Sequence, residues 1–413
     1  MNPLIDRLRP YPFERLRALL AGCVAPAHFA PIDLSIGEPK HATPALLLDA
    51  LVAALPSLST YPKTSGSDAL RIAIGQWLTR RYGLSRLDPL TQVLPVSGSR
   101  EALFAFAQAV LDARAAQKVV LPNPGYQIYE GAALMAGAEP VYLPVTAETG
   151  FRMAFERLGP EHWRQVRLVY TCSPGNPAGA VIPLSEWHDL FERADRYGFV
   201  IASDECYSEI YPDPARPPLG ALQAAVEVGR AGFERLVVFG SLSKRSNAPG
   251  LRSGFVAGDA NLIAQFLRYR TYHGCAMSPA VQAASIAAWS DEAHVVENRR
   301  RYAAKFAQFT PVIASALPTA TPDGGFFLWA RAPGDDRECA QRLYEQLNLI
   351  VLPGSFMGRE VDGVNPGSGF VRIALVAEEA QVLEAARRIA QFDKAEGAKA
   401  SEEPLLRVST AAN

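Results

Sequence analysis

The stretch SLSKRSNAPGLRSG at 241–254 places one lysine, Lys244, directly after the apolar run LVVFG and eight residues before Arg252. A lysine in such a turn is usually an exposed surface charge. A desolvated lysine beside other cations has instead a lowered pKa and can act as a nucleophile or a proton carrier. Ser241 and Arg252 suit an anion-binding turn, because the guanidinium fork can hold two phosphate oxygens. The stretch therefore indicates either a solvated loop or an amine held beside an anion.

Another candidate anion site lies in VSGSRE, where Gly98, Ser99 and Arg100 begin a helical segment. The first turn of a helix has free backbone N–H groups and a dipole that favours negative charge. The same residues also fit an ordinary helix N-cap. The motif alone leaves both interpretations open.

Polar residues also follow two other apolar runs and one proline-rich turn. Asn176 follows RLVYTC within CSPGNPAG, Asp204 ends FVIASD with Tyr207 three residues on, and PNPGYQIY contributes Tyr126. Separately, an asparagine in such a loop is a common turn residue and an aspartate can cap the next segment. In a parallel sheet, ligands bind beyond the carboxyl ends of the strands, so these side chains are expected to meet at one edge.

The elements that would position these residues alternate between strands and helices. Between about 91 and 260, the runs TQVLPV, KVVLPN, RLVYTC, FVIASD, RLVVFG and RSGFVAG are separated by amphipathic segments. This pattern predicts a mostly parallel sheet between layers of helices. After about 285, a charged helical stretch precedes the strand-like GGFFLWARA, LIVLPG and GFVRIALV and a last helix. That order predicts a smaller α+β domain, which the N-terminal 40 residues or so could join.

Four segments follow from this pattern. We expect an N-terminal arm that shares the small domain at 1–45, a large domain with the mostly parallel sheet at 46–284 and a small C-terminal domain at 285–395. The remaining segment, 396–413, is polar and rich in small residues, which predicts a flexible tail.

The composition limits the classes of partner. The chain has 413 residues, is 49% hydrophobic and carries a formal net charge of -1, so it shows no basic surface for nucleic acid or an anionic membrane. No apolar run approaches the roughly 20 residues of a membrane span. Five scattered cysteines without C-x-x-C spacing and six scattered histidines predict reduced thiols, a cytoplasmic protein and no metal site. Partners should be small molecules or other protein subunits.

The order of the polar motifs resembles that of the class I/II, fold type I, pyridoxal-phosphate-dependent aminotransferases. An anion-binding turn, an aromatic, a strand-end Asn, an Asp-x-x-Tyr and a Ser-x-x-Lys with a downstream Arg follow one another, and the resemblance covers about residues 30 to 390. It implies an α/β fold whose large domain has a mostly parallel seven-stranded sheet between helices, with a smaller α+β domain. It also implies pyridoxal 5′-phosphate as the cofactor and amino acids and keto acids as substrates.

The resemblance implies a role for each matching residue at the cofactor ring. Lys244 would form the Schiff base with the cofactor aldehyde and later carry the substrate proton. Asp204 would pair with the pyridine nitrogen and keep it protonated, which makes the ring an electron sink. Tyr207 and Asn176 would hydrogen-bond the 3-hydroxyl oxygen, and Tyr126 would stack on the ring.

The resemblance also assigns the phosphate, the substrate and a second subunit. The residues matching the phosphate site are Gly98, Ser99, Arg100, Ser241, Ser243 and Arg252. Tyr61 matches a tyrosine lent to the phosphate of the neighbouring subunit, which implies a homodimer with shared active sites. Arg372, otherwise an unremarkable strand-edge arginine, would grip the substrate α-carboxylate beside Asn176. Gly37 would let the backbone approach that carboxylate, where a Cβ would crowd it.

Several segments resemble the bacterial succinyldiaminopimelate aminotransferases of lysine biosynthesis. They are IGEPKHATP, LPVSGSREALFAFAQ, YQIYEGAALMAGAEP, SLSKRSNAPGLRSGFVAGDA and YRTYHGCAMSP. Their substrate, N-succinyl-2-amino-6-ketopimelate, carries remote carboxylates and needs a second cationic contact, for which Lys40, Arg100 and Arg270 are candidates. The alternatives are an aminotransferase for aspartate, alanine or aromatic amino acids, a C–S lyase on the same fold, or a non-catalytic cofactor-binding regulator. Arg245, next to the reactive lysine, has no assigned role.

Overall fold

The structure is a computed structural model that describes residues 2–392. The tail expected at 396–413 lies outside the described residues. The strands along this part of the chain are β1 (Ile32–Asp33), β2 (Val93–Val96), β3 (Lys118–Asn123), β4 (Glu139–Pro144), β5 (Val166–Cys172), β6 (Val200–Asp204), β7 (Leu236–Ser241), β8 (Gly254–Gly258), β9 (Phe327–Arg331), β10 (Leu349–Ile350), β11 (Leu352–Pro353) and β12 (Phe370–Ala374).

The helices surround these strands. They are α1 (Pro12–Leu20), α2 (Ala45–Ala53), α3 (Asp68–Tyr82), α4 (Pro89–Gln92), α5 (Ser99–Val110), α6 (Gln127–Met135), α7 (Pro160–Trp163), α8 (Leu184–Tyr197), α9 (Ala221–Glu227), α10 (Leu242–Arg245), α11 (Ala260–His273), α12 (Pro279–Ser290), α13 (Ala293–Ile313), α14 (Asp336–Leu347) and α15 (Glu379–Ala390). Short 3-10 turns cover Pro3–Arg7, Leu55–Ser59, Ala147–Thr149, Phe155–Arg157, Pro249–Leu251 and Gly354–Phe356. Within residues 2–392, none of the helices has both the length and the apolar character that crossing a bilayer requires.

The central sheet has seven strands in the order β2-β8-β7-β6-β5-β3-β4. Strand β8 is antiparallel to both of its neighbours, and the other pairs are parallel. The expected mostly parallel seven-stranded sheet is therefore confirmed. Strand β4 was not apparent from the hydrophobic pattern, because it contains Pro140 and Pro144. Proline is tolerated there because β4 is an edge strand and pairs on one side only.

Alternate residues of the central strands pack into two separate apolar clusters, one on each face of the sheet. One cluster includes Trp77 of α3, Trp187 of α8 and Trp289 of α12. The other includes Phe106 of α5 and Phe266 of α11. Because both faces are covered by helices, the strands carry nearly continuous apolar runs, which is why they were recognisable in the sequence.

A second, smaller sheet has the antiparallel order β11-β12-β9. Its core is built with α13, α14 and α15, and Ile32 and Leu34 from the N-terminal region pack into the same cluster. Strand β1 pairs in parallel with β10, which attaches that region to the smaller unit. The domain boundaries at 45/46 and 284/285 stay predictions.

Candidate active site

A cavity of about 690 Å³ opens at the carboxyl ends of β5, β6 and β7. It is lined by most of the predicted site residues. These are Gly37, Ser99, Arg100, Tyr126, Asn176, Asp204, Tyr207, Ser241, Ser243, Lys244, Arg252 and Arg372. Residues far apart in the chain therefore meet in one place, at the sheet edge that the order of the motifs indicated.

Lys244 lies on the four-residue helix α10, which follows β7 directly. Its Nζ donates a hydrogen bond to the carbonyl oxygen of Gly37 and lies 5.4 Å from the centre of the Phe326 ring. Loss of hydration lowers the pKa of the Lys244 amine to about 8, and the nearby Arg372 and Arg100 act in the same direction. The amine is thus far more often neutral at physiological pH than an exposed lysine, which suits a nucleophile.

Asp204 ends β6 as a buried carboxylate. Its Oδ2 accepts a hydrogen bond of 2.7 Å from the Tyr129 hydroxyl, and its Oδ1 accepts one of 3.2 Å from the backbone N–H of Cys206. Burial raises the pKa of Asp204, while the Lys244 ammonium opposes that change. Among residues 2–392, no lysine or arginine forms an ion pair with Asp204. A cationic ligand atom beside this carboxylate would therefore relieve a real electrostatic cost.

Two supporting residues were missed in the sequence. Tyr129, one helical turn beyond Tyr126 on α6, is buried and stacks on Tyr170 with ring centres 4.9 Å apart. The Y-x-x-Y spacing in PNPGYQIY was the available signal. The second residue is Cys206, whose Sγ donates to the Ser99 hydroxyl at 3.0 Å. No motif marks it, because the contact joins segments over 100 residues apart.

A candidate anion site lies where the N-terminus of α5 meets the loop after α10. We call it the anion cup, and its residues are Gly98, Ser99, Ser241, Ser243 and Arg252. Gly98 caps the twelve-residue α5 with φ +88°, and a Cβ placed there would lie 2.3 Å from Nη2 of Arg252. The guanidinium of Arg252 thus lies directly against the start of the helix. Ser241 caps α10 by accepting a hydrogen bond of 3.1 Å from the N–H of Ser243. Free helical N–H groups, hydroxyls and a guanidinium are the donors that a phosphate group requires.

Arg372 of β12 enters the cavity from the smaller sheet and is 4% exposed. It donates to Oδ1 of Asn176 at 3.0 Å and to the carbonyl oxygen of Ser35 at 2.7 Å, and its Cζ lies 4.2 Å from the centre of the Phe327 ring. Its Nε has no partner, and burial lowers the pKa of the guanidinium to about 10. A buried cation without an acidic partner among the described residues is an evident site for a substrate carboxylate.

The structure gives a second reason for a glycine at position 37, beside the predicted approach of its backbone to the substrate carboxylate, which stays a prediction. A Cβ at Gly37 would lie 2.5 Å from Cζ of Phe327, the ring against which Arg372 packs. The glycine therefore makes room for Phe327, and its carbonyl oxygen receives the Lys244 amine.

Arg100 lies at the cavity wall and donates through Nε to the Tyr126 hydroxyl at 2.7 Å. Its guanidinium also lies 5.9 Å from the centre of the Tyr11 ring. Tyr11 and Phe13, at the start of α1, line the same cavity and were not identified from the sequence. Nothing in the local pattern of an N-terminal amphipathic helix shows which distant cavity it will border.

Three basic or aromatic candidates lie elsewhere. Lys40 is half exposed, forms an ion pair with Glu38 at 2.5 Å and does not line the cavity. Arg270, considered for a distal carboxylate, is instead 0% exposed and binds both carboxylate oxygens of Glu101 at 2.6 and 2.8 Å. Tyr61 is 100% exposed and lies outside the cavity lining.

Arg245, which had no assigned role, is buried away from solvent. It donates to the carbonyl oxygen of Ala288 at 2.7 Å and forms an ion pair with Glu292. Its guanidinium lies 4.8 Å from the centre of the Trp289 ring and 5.3 Å from that of Trp77. Arg245 therefore anchors α10 to α12 and to the segment before α13.

The cavity residues fit a ligand that combines an aldehyde, a basic ring nitrogen and a phosphate. The aldehyde matches Lys244, the ring nitrogen matches the buried Asp204, and the phosphate matches the cup that a Cβ at Gly98 would fill. These are the groups of pyridoxal 5′-phosphate. With Arg372 free for a carboxylate, the fold and the site define a pyridoxal-phosphate-dependent enzyme that acts on amino acids.

The chain belongs to the aminotransferase class I and II family, whose pattern matches residues 30–389. A solved aminotransferase from Neisseria meningitidis is 48% identical with a TM-score of 0.92, over 95% of this chain and 100% of that one. The chain is also 36% identical to 4-dedimethylamino-4-oxo-anhydrotetracycline transaminase OxyQ of Streptomyces rimosus, over 87% of this chain and 92% of the relative. It is 31% identical to LL-diaminopimelate aminotransferase of Nitratidesulfovibrio vulgaris, over 94% of this chain and 99% of the relative.

Family membership confirms the expected fold type I α/β architecture, the cofactor pyridoxal 5′-phosphate and the transaminase reaction. The substrates are accordingly an amino acid and a keto acid. The names of the Streptomyces rimosus and Nitratidesulfovibrio vulgaris relatives state different substrates, so the shared machinery leaves the substrate to be argued from the cavity.

Proposed function

We propose that the chain moves the amino group of glutamate to N-succinyl-2-amino-6-ketopimelate, which gives 2-oxoglutarate and N-succinyl-LL-diaminopimelate, a step of lysine biosynthesis. The observation that carries this proposal is Arg100, which lines the cavity in addition to Arg372 and the phosphate-site Arg252. Arg100 lines the cavity with Arg372 and, within residues 2–392, forms no ion pair with an acidic side chain.

Each step of the proposed reaction has a residue in place. Arg372, held by Asn176, binds the substrate α-carboxylate with its remaining donors and so orients the α-carbon. The bound cofactor supplies a protonated ring that accepts the electrons released at that carbon. Lys244 removes the α-proton as a free amine and returns it as an ammonium, for which a pKa of about 8 is well suited.

The remaining residues hold the ring and phosphate in this proposal. Asp204 keeps the ring nitrogen protonated, and Tyr129 holds the carboxylate in place. Tyr207 and Asn176, which both line the cavity, would hydrogen-bond the ring oxygen. The phosphate binds in the cup of Gly98, Ser99, Ser241, Ser243 and Arg252, which fixes the position of the whole ligand.

The succinylated substrate ends in a carboxylate far from its reacting amine, so a second cation is needed. Of the three basic candidates, Lys40 and Arg270 are engaged with acids, and Arg100 borders the cavity. The Arg100 guanidinium uses Nε on Tyr126, which leaves its other N–H groups to meet a carboxylate.

A second candidate substrate is LL-diaminopimelate without the succinyl group, and the diaminopimelate relative favours it. Its distal end carries an ammonium beside a carboxylate, so it calls for an acid as well as a cation. Glu38 also lines the cavity, although it is paired with Lys40. The two candidates therefore differ in their dependence on Glu38 and Arg100.

The test is a panel of amino donors assayed with 2-oxoglutarate: N-succinyl-LL-diaminopimelate, LL-diaminopimelate, aspartate, alanine and phenylalanine. The proposal predicts the highest kcat/KM for the succinylated compound. Arg100→Gln should lower that value by about 10- to 100-fold, because one charge-assisted hydrogen bond is lost, and should affect alanine much less. Arg80→Gln is the matched control, because Arg80 is an exposed arginine outside the cavity lining, and it should change kcat/KM for neither substrate.

Equal losses for alanine and the succinylated compound in Arg100→Gln would refute the role of Arg100. A preference for unsuccinylated LL-diaminopimelate that disappears in Glu38→Gln would support the second candidate. Preference for alanine, aspartate or phenylalanine, or release of ammonia and pyruvate from a thioether amino acid, would reject both.

We further propose a homodimer in which Tyr61 reaches the phosphate of the partner subunit. Tyr61 is fully exposed, and apolar side chains of α2 and the following turn are exposed beside it in sequence: Leu48, Val52, Leu55 and Leu58. Light scattering should give twice the mass of one chain. Tyr61→Phe should weaken pyridoxal phosphate binding without changing that mass, and a monomer that binds the cofactor normally would contradict the proposal.

A further inference from the structure

A buried polar cluster lies next to the main chain of Lys244 and does not line the cavity. We define the cluster as His41, Asn298 and Lys305, all of which are buried. We propose that this cluster is a positioning unit, which holds the Lys244 turn in register with the strand that carries Arg372. The inference rests on the proposed role of Lys244.

Asn298 of α13 supplies the link to the reactive lysine. Its Nδ2 donates to the carbonyl oxygens of Lys244 at 3.3 Å and Arg245 at 3.4 Å. A helix as short as α10 leaves its last carbonyl groups without donors of its own, so Asn298 supplies those donors, in addition to the anchoring by the Arg245 side chain. On its other side, Oδ1 of Asn298 accepts from Asn247 at 3.0 Å and lies 2.8 Å from Nδ1 of His41.

Lys305 supplies the link to the substrate strand. Its Nζ lies 2.7 Å from Nε2 of His41 and donates to the carbonyl oxygens of Leu375 at 3.3 Å and Ala377. Both carbonyls belong to residues just after β12, the strand of Arg372. Because an ammonium can only donate, Nε2 of His41 must accept, and His41 then donates from Nδ1 to Asn298.

Three segments are thereby joined through one imidazole. His41 lies four residues after Gly37, whose carbonyl oxygen receives the Lys244 amine. Asn298 fixes the turn of Lys244, and Lys305 fixes the end of the strand of Arg372. The cluster therefore connects the group that moves the proton with the group that orients the substrate.

The chemistry of Lys305 argues against a purely stabilising role. The side chain is 1% exposed, and it forms no ion pair with an acid within the described residues. A buried cation is expensive to desolvate, and an apolar side chain of similar size is often as stabilising. What the apolar residue would not provide is the directed bond that selects the His41 tautomer.

The test compares Asn298→Ala and Lys305→Met with Arg388→Met. Arg388 is also a buried cation that donates to two carbonyl oxygens, those of Ala30 and Leu347, but it has no contact with Lys244. Two readouts are needed: kcat, and the pH titration of the visible absorbance of the bound cofactor, which reports the environment at Lys244.

Both cluster variants should shift the midpoint of that titration by about half a pH unit or more and lower kcat at least several-fold, while Arg388→Met leaves the midpoint unchanged. Thermal unfolding identifies any variant that does not fold. In that case Asn298→Asp decides, because it keeps the shape and the acceptor but loses the donor to Lys244. Midpoints equal to that of Arg388→Met would overturn the proposal.

Failure of the role of Lys244 itself is distinguishable. If Lys244 is not the residue that binds the cofactor, Lys244→Ala will still form the covalent cofactor complex. If only the proposed role of the cluster is wrong, Lys244→Ala will not form that complex, and the cluster variants will have native kcat and a native titration midpoint.

Discussion

Replacing Arg372 with lysine keeps the charge but removes the planar fork. The native guanidinium uses one donor on Asn176 and another on the carbonyl oxygen of Ser35, and its face packs on Phe327. The flexible ammonium of lysine cannot keep these contacts and also present two parallel donors to a carboxylate. The variant should therefore bind the cofactor normally and orient the substrate poorly.

The size of the effect follows from the number of bonds lost. One charge-assisted hydrogen bond contributes about 1.5 to 3 kcal/mol, so Arg372→Lys should reduce kcat/KM by about 10- to 100-fold. Arg372→Gln also removes the charge and a second such bond, which predicts a loss of about 100- to 10,000-fold.

The assay is single-turnover kinetics with glutamate and with a primary amine that lacks the α-carboxylate, monitored by cofactor absorbance. The losses should appear with glutamate only, because the amine makes no bond to Arg372 in either protein. Equal losses with both amines, or none with glutamate, would refute the assignment of the carboxylate to Arg372.

Three further predictions test the cofactor site and its support. Gly98→Ala should raise the dissociation constant of pyridoxal phosphate by about 10-fold or more, because the added Cβ would lie 2.3 Å from Nη2 of Arg252. Gly83→Ala is the control and should leave that constant unchanged, because Gly83 also has a positive φ but no atom lies within 4 Å of the added Cβ. The rate at which cofactor-free protein recombines with the cofactor should rise with pH and level off above about pH 8, because the neutral Lys244 amine reacts and burial lowers its pKa; a rise that continues beyond pH 10 would contradict this. Arg245→Met should lower the free energy of unfolding by about 2 to 4 kcal/mol in a denaturant titration, and a larger change in cofactor affinity than in stability would show that Arg245 acts on the site directly.

The parts of the fold that could be predicted from the sequence are those with a local cause. Strands β6 and β7 are buried on both faces, so each appears as an apolar run that ends in a polar residue. That local pattern predicts Asp204 and Ser241 at strand ends, and both end strands in the structure. Strand β4 and helix α14 did not stand out: β4 is an edge strand with prolines, and α14 is strongly polar.

Which basic residues pair with an acid and which border the cavity could not be predicted, because this depends on which acidic side chain lies next to each one in the folded chain. Lys40 and Arg270 look as available in the sequence as Arg100 does. In the structure, Glu38 and Glu101 engage the first two, and Arg100 borders the cavity. An ion pair such as Arg270 with Glu101 joins residues 169 apart and leaves no trace in either local pattern.

The cavity itself is built from distant segments for the same reason. Tyr11 and Phe13, at the start of α1, line the cavity, and Tyr129 of α6 donates a hydrogen bond to Asp204. The spacing of tyrosines on α6 was visible in the sequence, but its target was not, because Asp204 lies 75 residues further along.

The most direct test of the proposed role of Lys244 is to locate the residue that bonds covalently to the cofactor. The purified protein would be reduced with borohydride in the presence of pyridoxal phosphate, digested, and mapped by mass spectrometry. Lys305 is an internal competitor, because burial also lowers the pKa of its amine to about 8 although it does not line the cavity. We expect one modified residue, Lys244, and no modification in Lys244→Ala. Modification of Lys305 or of another lysine, with Lys244 left free, would contradict it.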